Sequence, residues 1–229
     1  MSVVTHIVPG GLRYIKRSQP PEELHLGVTV RHARGAHIVG VGTVVRVSRP
    51  IEQEQYQVRF EWGEAGAQAI SIGADVVVLV DVLPEAPGLA DSLDVNDAIV
   101  VAGSLRNSAA VARWALEQQA DKGDRFTVAV VALGTRREDG QLRFALEDQL
   151  GAGAIIDALA AVGIDYCSPE AASAAAAFTG LRNATGHLIG ASTGGRAVAK
   201  NGGRALIDVA IDVNSSDEVP VLREFSLGE

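Results

Sequence analysis

Hydrophobic positions along the chain follow two rhythms, and the change comes near residue 52. Before it, LHLGVTV and IVGVGTVVRV are β-branched runs flanking the polar RHARGAH, the pattern of a β-hairpin. Gly27, Gly40 and Gly42 interrupt those runs and mark weak points or bulges. Residues 1–23 hold Pro9, Gly10, Gly11, Pro20 and Pro21, and the expectation there is loop. Pro50 and the polar residues 52–55 close this first unit. From Tyr56 the text is α/β. YQVRFEW alternates like a half-buried strand, and GEAGAQAI follows as a short helical turn. DVVVLVDVL is a near-continuous apolar run, the signature of a strand covered on both faces, with Asp81 at its carboxyl end. LPEAPGLADSLD then reads as loop.

Two more buried strands are expected at 97–103 (DAIVVAG) and 126–134 (FTVAVVALG). Between them RNSAAVARWALEQQ is an amphipathic helix. A strand–helix–strand unit of this kind makes a right-handed parallel crossover. Residues 144–163 form a second long helix containing Gly151 and Gly153. Ser168 is the N-cap of a third, with Pro169 at its first position and Glu170 in its first turn. The final stretch reads as helix, polar turn and short strand. The fold class expected is α/β, a mostly parallel sheet with flanking helices, preceded by a small β-hairpin unit. The division falls into residues 1–52 and 53–229.

Composition narrows the function. The 229 residues are 47% hydrophobic, enough for a packed core. A net charge of −8 argues against a general nucleic-acid binder, which carries a basic face. The single cysteine, Cys167, excludes an intramolecular disulfide framework and points to the cytoplasm. No apolar run approaches the length of a membrane span. A shortened sheet with an open edge leads to the expectation of a homo-oligomer, a dimer being the simplest.

In open parallel sheets ligands gather beyond the carboxyl ends of the strands. Three such ends stand out: Asp81, the Gly103-Ser104-Leu105-Arg106-Asn107 junction, and Gly134-Thr135-Arg136-Arg137. The second is either an anion cradle of backbone N–H groups and Arg106, or an ordinary capped turn. Glu147 and Asp148 stand at a helix start; they either join Asp81 around Mg²⁺ or serve the helix dipole. His25, His32 and His37 are three imidazoles on the hairpin, at spacings that match no standard zinc signature. Cys167 reads as a buried thiol or, before a helix start, an activated one.

Several blocks, in order, resemble the 2-phosphosulfolactate phosphatase family: VRFEWGEAGAQAI with ADVVVLVDVL, VVAGSLRNSAAVARW, VVALGTRREDGQLRFALEDQLGAGAII, YCSPEAASAAAAF and NSSDEVPVL. They cover most of residues 56–82 and 97–222. The resemblance implies a Mg²⁺-dependent phosphohydrolase acting on a small phosphorylated acid. The family's founding reaction converts 2-phosphosulfolactate to 3-sulfolactate and phosphate, toward coenzyme M. It implies catalytic and metal-binding roles for Asp81, Glu147 and Asp148. Phosphate binding falls to Gly103, Ser104, Arg106, Asn107, Gly134 and Thr135, and Gly153 belongs to the same glycine–acid block. Family members continue beyond the Asp-Val-Leu strand end through a polar loop and further elements. Here DVL leads through PEAPGLADSLDVND straight to the next strand, and residues 1–52 have no counterpart. A non-catalytic relative that binds a small anion, or an assembly subunit, is the alternative.

Overall fold

The structure is a computed structural model. It describes residues 2–8, 11–17, 24–32, 35–44, 53–84, 95 and 98–224, the first four ranges as backbone strands. The chain divides into two compact units, Met1–Pro50 and Ile51–Glu229.

In the first unit, β1 (Ser2–Val8) pairs antiparallel with β2 (Gly11–Arg17), and β3 (Leu24–His32) with β4 (Gly35–Val44). The β3–β4 hairpin is the one its β-branched pattern predicts. Its register steps from Val28↔Gly40 to Thr29↔Ile38, so Val39 is the extra residue of a bulge beside one of the interrupting glycines. The β1–β2 pair corrects the expectation of loop over residues 1–23. SVVTHIV and LRYIK carry enough β-branched and aromatic residues to pair, and Pro9-Gly10 punctuates the two strands instead of preventing them. The side chains of His25, His32 and His37 lie outside the described residues, as does most of the LPEAPGLADSLD loop.

The second unit is a five-stranded sheet in the order β11-β7-β6-β8-β5. Strands β5 (Val58–Trp62), β6 (Val76–Val80), β7 (Ile99–Gly103) and β8 (Val128–Ala132) are parallel. The short β11 (Val221–Arg223) runs antiparallel along β7. Every residue of β6 is buried, and alternate side chains enter different cores. Val76, Val78 and Val80 join Val128 and Val130 of β8 beneath helices α2 (Ser108–Lys122), α3 (Leu146–Ala161) and α4 (Pro169–Leu181). Val77 and Leu79 face α1 (Gly63–Ile70), where Ala67 and Ile70 cover the opposite side. An uninterrupted Val/Leu run is what two covered faces require.

Three further helices pack on the α3 side: α5 (Thr185–Ala191), α6 (Thr193–Lys200) and α7 (Arg204–Ala210). The hydrogen bond from the Ala171 N–H to Ser168 Oγ, 3.1 Å, bears out the N-cap expected for α4. Sequence patterning assigned nothing to α5 and α6, whose Gly-rich text masks their periodicity. Among the described residues no helix is long and apolar enough to cross a membrane.

Candidate functional site at the carboxyl ends of the strands

The chain leaves β5 for α1 on one face of the sheet and leaves β8 for α3 on the other. Neighbouring strands whose continuations part to opposite faces open a crevice beyond their carboxyl ends. Here that crevice is a cleft of ≈ 320 Å³ lined by Trp62, Glu64, Leu133, Gly134, Arg136 and Leu142, among others. A two-stranded ribbon, β9 (Thr135–Arg136) with β10 (Leu142–Arg143), forms one wall. Trp62 packs against Phe60 and Phe144, with ring centroids 5.9 and 5.1 Å away. At the rim Arg136 Nη2 lies 3.5 Å from Glu64 Oε2, both well exposed, a contact that is weak and easily exchanged.

Asp148, buried behind Gly134, ties the strand ends together. Its Oδ1 accepts the Val82 N–H at 2.8 Å and its Oδ2 the Gly134 N–H at 2.8 Å, so one carboxyl ties the loops after β6 and β8 together. Gly134 has φ +67°, and a Cβ there would meet the Arg143 carbonyl at 2.7 Å. Only glycine turns its N–H toward Asp148 in that space. Burial pushes the Asp148 carboxyl up to about 8, the two N–H groups opposing the shift and the charges of Asp81 and Glu147 adding to it. Asp81, half-buried just past β6, is therefore a close electrostatic neighbour of Asp148. Gly151, one turn along α3, lets that helix approach: a Cβ would meet Val82 and Val80 at 2.7 and 2.9 Å.

Glu147 takes a different direction, as adjacent helix positions must. It is 3% exposed and lines a separate cavity with Thr135. The three acids thus do not form one cluster, and among the described residues no group of three or more His, Cys, Asp or Glu side chains is placed to hold a metal ion. Asp81 with Asp148 is the pair that the fold brings together. Asp148 is 2% exposed and both its oxygens accept backbone N–H groups, so of the pair Asp81 is the carboxyl that could take a hard cation, with water and phosphate oxygens completing the shell.

The Gly103–Asn107 junction is taken up by the chain itself. Ser104 Oγ accepts the Arg106 N–H at 3.2 Å, and Asn107 Oδ1 accepts the Ser104 N–H at 2.8 Å. Asn107 Nδ2 donates to the carbonyls of Ala102 and Glu218 at 3.1 and 3.0 Å. Gly103 is pressed between Val78 and Ile155, where a Cβ would come within 2.6 Å of each. Residues 214–220 lie along this junction. Asn214 Oδ1 accepts the Ala109 N–H at 2.9 Å and the Ser108 hydroxyl at 2.8 Å, capping α2 from a distant part of the chain. Arg106 Nε reaches Ser215 Oγ at 3.2 Å. Of the two readings open for this turn, the capped turn is the one the hydrogen bonds describe.

A family model for 2-phosphosulpholactate phosphatase matches residues 90–224. The chain belongs to that family. The match takes in β7, β8, Asp148 with its Gly134 partner, and α2 through β11; β5, β6, Asp81 and Val82 precede it. No curated protein matches the chain.

Sequence reasoning missed Asn214, Arg143 and Gly194 as parts of these sites. It also missed Arg59, a buried β5 residue that donates to the carbonyls of Ile70 (3.0 Å), Ile72 (2.7 Å) and Glu54 (3.1 Å), closing the end of α1. The NSSDEVPVL block was legible as a family feature, but nothing in it announces a cap. Cys167, half-buried, has its thiol pushed up by burial, with Asp165 adding, which favours the structural reading over the activated one.

Proposed function

We propose that the chain hydrolyses the phosphate monoester of a small hydroxy acid, one bearing a sulfonate as the family name describes, in the cleft beyond β5, β6 and β8. The observation that carries this reading is the buried Asp148 tie with Asp81 beside it. It fixes two strand-end loops against each other, one of them carrying Gly134 of the crevice lining. Asp81 would hold Mg²⁺, with the Asp148 tie fixing the loop it stands on, and when bound the ion would neutralise charge on the phosphoryl oxygens. Arg136 at the rim, released from its exposed contact with Glu64, offsets the remaining charge on the substrate. The N–H groups at the start of α1 add to that field. Trp62, Leu133 and Leu142 form the apolar wall that limits water to the attacking molecule. Asp81, the electrostatic neighbour of Asp148 just past β6, would orient that molecule.

The assay is phosphate release across a panel of phosphorylated 2-hydroxy acids, with and without Mg²⁺. Release that depends on Mg²⁺ and favours a sulfonated acid is the expected outcome; no release from any member contradicts the reading. A non-catalytic anion-binding relative is the second reading, and residues 214–220 favour it because they occupy the start of α2, where a phosphate cradle was expected. It requires that the same phosphorylated acids bind without turning over.

A further inference from the structure

A second cavity, ≈ 230 Å³, opens at the starts of α3 and α6 and is lined by Thr135, Arg143, Glu147, Ser192, Thr193 and Gly194, among others. It lies back to back with the cleft. In the β9–β10 ribbon Thr135 pairs with Arg143 and Arg136 with Leu142; the first pair lines this cavity and the second the cleft. Opposed strand residues share a face and successive pairs alternate, so the ribbon is one wall with two sides. Glu147 is 3% exposed, and its Oε2 is sealed in without a hydrogen-bond partner. Oε1 is the oxygen on the Gly194 side: a Cβ at Gly194 would collide with it, while Oε2 would be 3.7 Å away. Gly194 lines the cavity, so Oε1 is the oxygen turned toward it, and only glycine leaves that approach open. Arg143 donates from Nη2 to Thr193 Oγ1 at 2.7 Å, and among the described residues neither Arg143 nor Glu147 forms an ion pair. A guanidinium and a buried carboxyl thus share one cavity without meeting. Beside them α6 begins, with Ser192 Oγ accepting the Gly195 N–H at 3.0 Å and the first-turn N–H groups of Thr193 and Gly194 left as the orphan donors of a helix start.

We propose that this cavity binds a small zwitterionic amino acid. Its ammonium donates to Glu147 Oε1, and its carboxylate faces Arg143 and the start of α6. A buried carboxyl is costly until a charged donor meets it, and the ammonium is that donor. Arg143, steadied by Thr193, recognises the carboxylate through its planar fork. An α-amino acid carries its two charges on adjoining groups of one carbon, and so spans a carboxyl and a guanidinium that do not reach each other. Neither half suffices alone. A simple anion leaves its charge beside the Glu147 carboxyl, and a simple amine sits beside the Arg143 guanidinium; both like-charge approaches cost affinity. The volume is below the roughly 300 Å³ at which drug-sized sites begin, so the side chain is as small as that of glycine or alanine. Site and ligand chemistry are both separate from those of the cleft, and the inference does not rest on the phosphatase reading.

The test is calorimetric titration of the full chain with glycine and L-alanine, with propionate, which lacks the ammonium, and with L-alaninamide, which lacks the carboxylate. Wild type should bind L-alanine at least about tenfold more tightly than propionate or L-alaninamide, the scale of one hydrogen bond between charged groups. Glu147→Gln, nearly isosteric but uncharged, should bind L-alanine no better than propionate. Arg143→Met, on the half-buried ribbon, should bind L-alanine no better than L-alaninamide, and it carries the test if Glu147→Gln does not fold. No binding of glycine or L-alanine by wild type overturns the proposal. So does propionate binding as tightly as L-alanine, the behaviour of a plain anion site. A preference for L-alanine over propionate retained in Glu147→Gln, or over L-alaninamide in Arg143→Met, overturns it as well. The probes carry no phosphate ester and nothing turns over, so failure here is distinguishable from failure of the phosphatase reading.

Discussion

Asp148 shows how one side chain can hold a site and set its pH response. Its folded-state value, raised from 3.8 to about 8 chiefly by burial, means that folding favours the protonated form. Stability from this group is therefore fully present below about pH 4 and is lost as pH rises through about 8, by up to roughly 1.4 kcal/mol per pH unit. Urea denaturation without divalent cations at pH 5, 7 and 9 should show wild type losing stability relative to Asp148→Asn across that window; parallel curves would contradict the account. Arg59 makes a simpler case. Burial lowers its guanidinium from the usual arginine value, against the charges of Glu54 and Asp75, and its donors satisfy the carbonyls of Ile70 and Ile72. Arg59→Met should cost about 3 kcal/mol by urea denaturation, since it strands buried acceptors. Its place in the alternating YQVRFEW suggests an outward polar residue. Nothing in the sequence says that the end of α1 comes down over that position.

At the scale of elements, close approach is governed by a few positions. At Gly153 of α3 an added Cβ would collide with the Ala174 carbonyl and come within 2.8 Å of Phe178 Cβ, so Gly153→Ala should destabilise by about 1–3 kcal/mol. Gly180, in α4 with open space around it, should instead gain roughly 0.5–1 kcal/mol on substitution by alanine. Thermal unfolding of the pair checks both signs at once. Asn214, at φ +56°, caps α2; Asn214→Gly keeps the backbone conformation and removes the side-chain acceptor, with an expected cost below about 2 kcal/mol. These elements were unequally legible. β6 and β8 announce themselves, because burial on both faces leaves no room for polar residues. The Ser168 cap is local and was equally plain. The β1–β2 pair was hidden behind its proline and glycine, and α5 and α6 behind glycines that serve packing, such as Gly195 against the Ile189 carbonyl.

For the whole molecule, a parallel sheet with helices on both faces decides where chemistry can lie before any catalytic residue is named. That much followed from the order of buried strands and helices, and so did the choice of Asp81, Glu147, Asp148 and Gly134 as strand-end or helix-start residues. Their grouping did not. Whether Glu147 turns toward Asp81 or toward Gly194 depends on where α6 packs, a contact between segments with no shared sequence signal. The Gly103–Asn107 turn was likewise open to two readings until residues 214–220 were seen to lie along it.

The central claim is that the crevice beyond the carboxyl ends of β5 and β8, with Asp81 as its proposed metal-holding acid, hydrolyses a phosphate monoester. The most direct measurement is kcat/KM for phosphate release from a phosphorylated sulfonated hydroxy acid in Mg²⁺, for wild type and Asp81→Asn, with matched unfolding curves. The account predicts a loss of at least about a hundredfold in the variant, the scale of removing charge stabilisation from a transition state. Equal rates in the two proteins would contradict it.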